Sequence, residues 1–206
     1  MSRYVGPTCK LCCREGIKLF IKGERCYTEK CAIEKRNYPP GQHVDTKGKV
    51  MEYAMRLREK QRARRIYGLS EKQFKRFFVM AERKEGITGT NFLIFLERRI
   101  DNMVFRLGFA TSRAEARQLV SHKHIAVNGK TVNSSSYLVR VGDVIEVRHK
   151  NLPSVINALE SVVRRGVPAW IDLDKDNMKG TIKLFPTRDD ITLPIKEQLI
   201  VEYYSR

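Results

Sequence analysis

Ile100, Met103, Val104 and Leu107 recur at the spacing of one helical face, and Gly108 stands where a left-handed residue would end that helix. Ser112 follows as an N-cap whose hydroxyl can accept from the backbone N–H of Ala114 or Glu115, and Glu115, three residues on, completes a capping-box pattern. His122-Lys123-His124 close the second helix with hydrogen-bond donors, Ile125-Ala126-Val127 is strand-like, and Asn128-Gly129 is the strongest short turn signal. The run from Ile100 to Val132 therefore predicts helix, cap, helix, strand and hairpin turn.

Upstream the pattern is also helical. Tyr53, Ala54, Leu57, Gln61 and Arg64 to Ile66 predict an amphipathic helix ending at Gly68, with Arg56, Arg58, Lys60, Arg62, Arg64 and Arg65 as its polar face. Such a face repels itself unless paired. Ser70 with Gln73 is a second capping box, opening a helix whose stripe of Phe74, Phe77, Phe78 and Ala81 reads as core. Thr88 or Thr90 starts a third helix through Phe92, Leu93, Phe95 and Leu96, running toward Ile100.

Downstream of Val132 the runs shorten. Tyr137-Leu138-Val139, Val144 to Val147, Ile171-Asp172-Leu173 and Thr181 to Leu184 alternate like strands, broken by turns at Val141-Gly142-Asp143 and Met178-Lys179-Gly180. Leu152 to Val163 is a helix, and Glu197 to Tyr204 alternates too weakly to separate strand from short helix. Before Thr46 no helical period is sustained, and Gly6-Pro7, Gly16, Gly23 and Pro39-Pro40-Gly41 punctuate the chain. The expected fold class is α+β with a mostly antiparallel sheet. Three parts follow: a metal-binding basic arm at 1–45, a helical domain at 46–90 with 195–206 as a candidate to complete it, and an α+β domain at 91–194 holding the 100–132 signature within about 98–160.

Charge narrows the partner. The chain of 206 residues carries a net +17, and residues 151–206 hold 8 Lys+Arg against 8 Asp+Glu, so all of that excess lies upstream. This balance steers a protein toward polyanions. No apolar run of about 18 residues is present to span a bilayer, and the N-terminus lacks the apolar core of a signal peptide, so a cytoplasmic location is expected. Five cysteines in a reduced compartment suggest metal ligation or free thiols rather than disulfides.

Cys9-x2-Cys12 and Cys26-x4-Cys31 offer two short chelate loops across a linker of zinc-finger length, which suits tetrahedral thiolate coordination. Zinc is the first candidate and an iron–sulfur cluster the alternative; buried free thiols or a redox pair are the competing readings. Cys13 would be a spare thiol. A four-cysteine shell has no open position for substrate, so the metal would be structural. Around it Arg3, Lys10, Arg14, Lys18, Lys22, Arg25, Lys30, Lys35 and Arg36 could neutralise RNA phosphates, and Tyr4, Tyr27 and Tyr38 could stack on unpaired bases. Arg56, Arg58, Arg62 and Arg65 extend this candidate surface, and Ser112, Arg113, Arg117, Gln118, His122, Lys123, His124, Asn128 and Lys130 form a second one, suited to backbone shape and 2′-hydroxyls. No catalytic constellation stands out: carboxylates are scattered and no Gly-rich phosphate loop precedes a helix. An enzyme is not expected.

The stretch IDNMVFRLGFATSRAEARQLVSHKHIAVNGKTV resembles the signature of the S-four RNA-binding fold, and GPTCKLC, GERC, PPGQH, RRIYG and VEYYSR resemble segments of the small-subunit ribosomal protein family of that name. The resemblance runs from Arg3 to Arg206. It implies binding to 16S rRNA at a multi-helix junction early in assembly, and a place near where mRNA enters the ribosome. It also implies contact with a neighbouring small-subunit protein of the S-five type, and an influence on decoding accuracy. Metal-bearing members of the family use the positions matching Cys9, Cys12, Cys26 and Cys31, although many relatives lack these cysteines. Two rivals remain. An RNA-modifying enzyme would need a catalytic domain for which the residues outside 90–190 leave no motif, and a metal-finger DNA regulator would need a recognition helix and usually a dimer interface.

Overall fold

The computed structural model describes residues 4–41, 51–149 and 151–205. The chain divides into two compact units, Met1–Phe92 with Leu193–Arg206, and Leu93–Thr192.

In the first unit the arm has more regular structure than its sequence suggests. Helix α1 (Cys9–Glu15), a 3-10 turn at Gly23–Tyr27 and helix α2 (Ala32–Lys35) fold around buried Leu19 and Ile33. Helix α3 (Glu52–Ile66) ends as the glycine predicts: Gly68 is left-handed (φ 64°), its N–H donates to Arg65 O, and the Leu69 N–H donates to Arg64 O. That pair of bonds is a Schellman cap. Helix α4 (Glu71–Glu82) opens on Ser70, whose Oγ accepts from the Gln73 N–H at 3.4 Å, and it buries the expected Phe74, Phe77, Phe78 and Ala81. Phe74 meets Phe92 edge-on at 4.9 Å, within helix α5 (Thr88–Glu97). The C-terminal segment left open by its pattern is a helix, Glu197–Tyr204, which packs Tyr204 against Phe78 at 4.7 Å and buries Ile200.

Two expectations for α3 need correction. Tyr53, assigned to the apolar face, is 57% exposed, whereas Lys60, assigned to the polar face, is buried. The helix is covered by other elements of its own unit, and these supply partners for charge: Lys60 Nζ donates to Glu71 Oε1 at 2.8 Å and sits over the Tyr203 ring. A lysine buries its stem readily once its ammonium is paired.

In the second unit α5 does not run on into Ile100. Arg99 is extended and caps a new helix, α6 (Ile100–Leu107), which ends at left-handed Gly108 as expected. Helix α7 (Arg113–Ser121) leads into β1 (Ile125–Val127), a tight turn with Asn128 and Gly129 both at positive φ (50° and 74°), and β2 (Lys130–Thr131). This geometry belongs to a type I′ turn, matched to strand twist. The remaining elements are β3 (Val144–Val147), α8 (Pro153–Arg165), β4 (Ile171–Asp174) and β5 (Lys179–Ile182), and we label the C-terminal helix of the first unit α9. The five strands form one sheet in the order β2-β1-β3-β5-β4, with every pair antiparallel.

Two strand expectations fail in this sheet. Among the described residues, Tyr137-Leu138-Val139 makes only an isolated bridge, Leu138 to Arg99, and β5 begins at Lys179, inside the predicted turn. Asp174 pairs with Lys179, so the hairpin turns earlier, within residues 175–178, with Met178 at positive φ. Gly180 explains why: a Cβ there would lie 2.1 Å from Leu107 Cδ2, so the missing side chain marks close helix–sheet packing rather than a turn. Ile100, Met103, Val104, Leu107, Val120, Ile125 and Ile145 form the fully buried centre of this core.

Candidate nucleic-acid interface

The start of α7 is fixed by its cap. Ser112 Oγ accepts from the Glu115 N–H at 3.3 Å, but the Glu115 carboxylate reaches one residue further back than a capping box predicts, accepting from the Thr111 N–H at 2.7 Å and its hydroxyl at 2.6 Å. A carboxylate in the first turn favours the helix through its dipole. The far end closes with the Lys123 N–H donating to Val120 O and the His124 N–H to Leu119 O. Lys123 takes the left-handed position (φ 63°) that glycine usually fills, which turns its side chain outward at the hairpin.

Arg113 is oriented by a polar network the sequence did not reveal. Its Nε donates to Asn102 Oδ1 at 2.8 Å, and its guanidinium lies 4.5 Å above the Phe105 ring. Asn102 is buried and donates to Glu97 Oε2 at 2.7 Å; Glu97, fully buried, also holds Arg106 through two bonds of 2.9 Å. Asn102 and Phe105 lie one helical turn apart on α6, a spacing legible in retrospect only once α7 is known to pack there.

The other module residues divide. Gln118, His122, Lys123 and Lys130 are exposed, Ser112 and His124 are half-buried, and Arg117 is buried, so the expectation that it faces a polyanion needs correction. Arg117 follows Ala116 and precedes Leu119 and Val120, which anchor this part of α7 in the core. Asn128 is exposed, yet its side chain is committed to the fold, donating to Asp143 Oδ1 at 2.8 Å and accepting from the Val144 N–H at 2.9 Å. Arg148 and His149, which the sequence reading did not single out, stand beside His124 because Ile125 pairs with Val147.

In the arm, Lys10, Arg14, Lys22, Arg25, Lys30, Lys35 and Arg36 are exposed, and Lys18 pairs with Glu34. Arg3 lies outside the described residues. Tyr4 and Tyr38 are exposed; Tyr27 is also exposed but tilts against Phe20 at 4.9 Å. The basic face of α3 is paired as its charge requires. Arg56 binds Glu202 at 2.7 Å, Arg62 binds Glu59 at 2.7 Å, and Arg58 and Arg65 both bind the buried carboxylate of Glu15. These four arginines are half-buried, which ties the arm's α1 to α3 and leaves less of each guanidinium for an outside anion than the sequence suggests.

Cys9, Cys12, Cys26 and Cys31 line one cavity of about 10 Å³, whereas Cys13 lies apart and donates to Arg36 O. Burial pushes the Cys12 thiol up to about 11 and raises Cys26 as well. The donor set suits a thiolate-loving metal, whose charge would reverse those shifts. Among the described residues, however, no group of three or more His, Cys, Asp or Glu side chains is arranged to hold a metal ion.

Residues 3–97 match the family described as ribosomal protein S4/S9 N-terminal domain, and residues 98–145 match the S4 domain. The chain is 58% identical to small ribosomal subunit protein uS4 of Citrifermentans bemidjiense and 56% identical to that of Geobacter sulfurreducens, with 100% of each chain covered. It is 59% identical, again over 100% of both chains, to the same protein of Caldicellulosiruptor saccharolyticus. Two adjoining family matches and full-length identity above one half agree with the helix, cap and hairpin geometry: the chain belongs to the ribosomal protein uS4 family.

Proposed function

We propose that this chain is a structural constituent of the small ribosomal subunit, a primary 16S rRNA binding protein that nucleates assembly and contributes to translational accuracy near where mRNA enters the ribosome. The observation that carries the reading is the full-length similarity to proteins named small ribosomal subunit protein uS4. The exposed basic end of the α7 hairpin fits it physically, because such surfaces neutralise phosphates and release counterions without reading base sequence. The chain acts as scaffold rather than enzyme. Its working location is the cytoplasmic ribosome, and among the described residues no helix is long and apolar enough to cross a membrane.

The finer reading has three functional parts: the basic arm, the helical part and the α+β part with its RNA-binding module. Cys9, Cys12, Cys26 and Cys31 would hold Zn²⁺, or an iron–sulfur cluster, once their sulfurs close on the shared cavity. Such a group would supply folding energy to the arm and no reaction chemistry. A small-subunit protein of the S-five type is the expected neighbour. The test is stoichiometric binding to a multi-helix-junction fragment of 16S rRNA, read by chemical protection. Saturation at one chain per RNA, with the RNA recovered unchanged, supports the scaffold reading; turnover of the RNA would overturn it.

A further inference from the structure

The hairpin end of the second unit gathers five basic or titratable side chains. His122 and Lys123 close α7, His124 leads into β1, and Arg148 and His149 follow β3. The β1–β3 register brings these segments together: the Arg148 N–H donates to His124 O at 2.9 Å, and Arg148 Nη1 donates to Lys123 O at 3.4 Å. The His124 ring centroid lies 6.3 Å from His122 and 5.8 Å from His149. His122, Lys123, Arg148 and His149 are exposed, while His124 is half-buried with its Nδ1 enclosed and lacking a hydrogen-bond partner among the described residues.

We propose that His122, His124 and His149, framed by Lys123 and Arg148, form a phosphate subsite for the RNA backbone that binds more tightly when its imidazoles are protonated. The proposal rests on the RNA-binding reading above and adds Arg148, His149 and a dependence on pH. Lys123 and Arg148 supply standing positive charge, and the imidazoles supply charge that pH can add. His124 sits below the ordinary histidine range because of burial, His149, His122 and Arg148, in that order. Glu146, two residues before Arg148, is engaged by Lys179 at 3.3 Å. A phosphate lodged among these groups offsets their mutual repulsion and favours the imidazolium form. By linkage, each proton taken up on binding raises affinity as pH falls.

The experiment titrates the full chain against a multi-helix-junction fragment of 16S rRNA at constant ionic strength, from pH 8.0 to 5.5. It compares the native chain with the H122Q/H124Q/H149Q variant and with His149→Gln alone, and circular dichroism checks that each is folded. A rise of one unit in one histidine's pKa on binding corresponds to about a tenfold gain in affinity. The native Kd is therefore expected to fall by about tenfold more than that of the triple variant, with H149Q between them. NMR titration of the His124 ring, with and without RNA, should show its pKa rising on binding. Equal pH dependence in all three proteins, or an unmoved His124 titration, would overturn the subsite while leaving RNA binding intact. Absence of binding at every pH would overturn both.

Discussion

Asn102 Oδ1 accepts a hydrogen bond from Arg113 Nε at 2.8 Å, so a buried amide on α6 sets the direction of a guanidinium on α7. The same amide donates to Glu97 Oε2, so the orientation of Arg113 is tied to a carboxylate with no solvent exposure. In the proposed RNA contact, preorganisation of this kind would lower the ordering cost of Arg113 meeting a phosphate. Asn102→Ala should reduce stability by about 1–3 kcal/mol, the usual cost of leaving buried partners unsatisfied. Thermal melts and rRNA titrations would check this, with the affinity loss smaller than that of Arg113→Ala; a variant as stable as the native chain would contradict the network's role.

The Lys60–Glu71–Tyr204 cluster gives a pH-dependent expectation. Burial disfavours the Glu71 charge, but hydrogen bonds from Lys60 and Tyr204, with the charges of Lys60 and Arg64, outweigh it and hold the carboxyl below its ordinary range. A depressed folded-state value means the contribution is full above the unfolded value, about pH 4.5, and is lost as pH falls through the folded one. Glu71→Gln should therefore flatten that part of the acid limb of a stability–pH curve. Because the side chain is 46% exposed, solvent screening limits the effect to about 0.5–1 kcal/mol.

Much of this arrangement is legible in the sequence. Gly68 and Gly108 end helices where their left-handed geometry is needed, Ser70 and Ser112 begin them, and Asn128-Gly129 makes the turn, because each signal is local. What depends on distant packing is not. Tyr137 to Val139 has strand composition but meets Arg99 instead of a sheet neighbour, and Lys60 is buried beside Tyr203, far along the chain. Glu15 gave no signal as the partner of Arg58 and Arg65, since 43 and 50 residues separate them.

The cysteine cavity makes an elemental prediction. Protein purified anaerobically should carry one zinc or one iron–sulfur cluster per chain, measured by metal analysis and absorbance. Cys26→Ser should lose it and Cys13→Ser should keep it, because Cys13 lies outside the cavity lining. Full metal content in the Cys26→Ser protein would remove the assignment.

Glu15 joins the arm to α3, so deleting residues 1–45 exposes Arg58 and Arg65 as well as removing basic contacts. The truncated chain should fold and bind rRNA more weakly, with poorer discrimination against other structured RNAs. Glu15→Gln in the full chain should cost about 1–3 kcal/mol, less than for a fully buried pair because both arginines are partly exposed. Chemical denaturation of the two proteins separates the stability effect from the binding effect.

The most direct test compares two surfaces by the salt dependence of rRNA binding. Arg113→Ala combined with Lys130→Ala removes charge from the α7–β2 surface, whereas Lys175→Ala with Lys183→Ala removes it from the β4–β5 side, where Lys183 already faces Asp172 at 3.3 Å. The first pair should weaken 16S rRNA binding and flatten the log Kd against log salt plot by about one unit per lost phosphate contact. The second pair should change neither. Equal losses from the two pairs would contradict the proposed placement of the RNA surface on α7 and the β1–β2 hairpin.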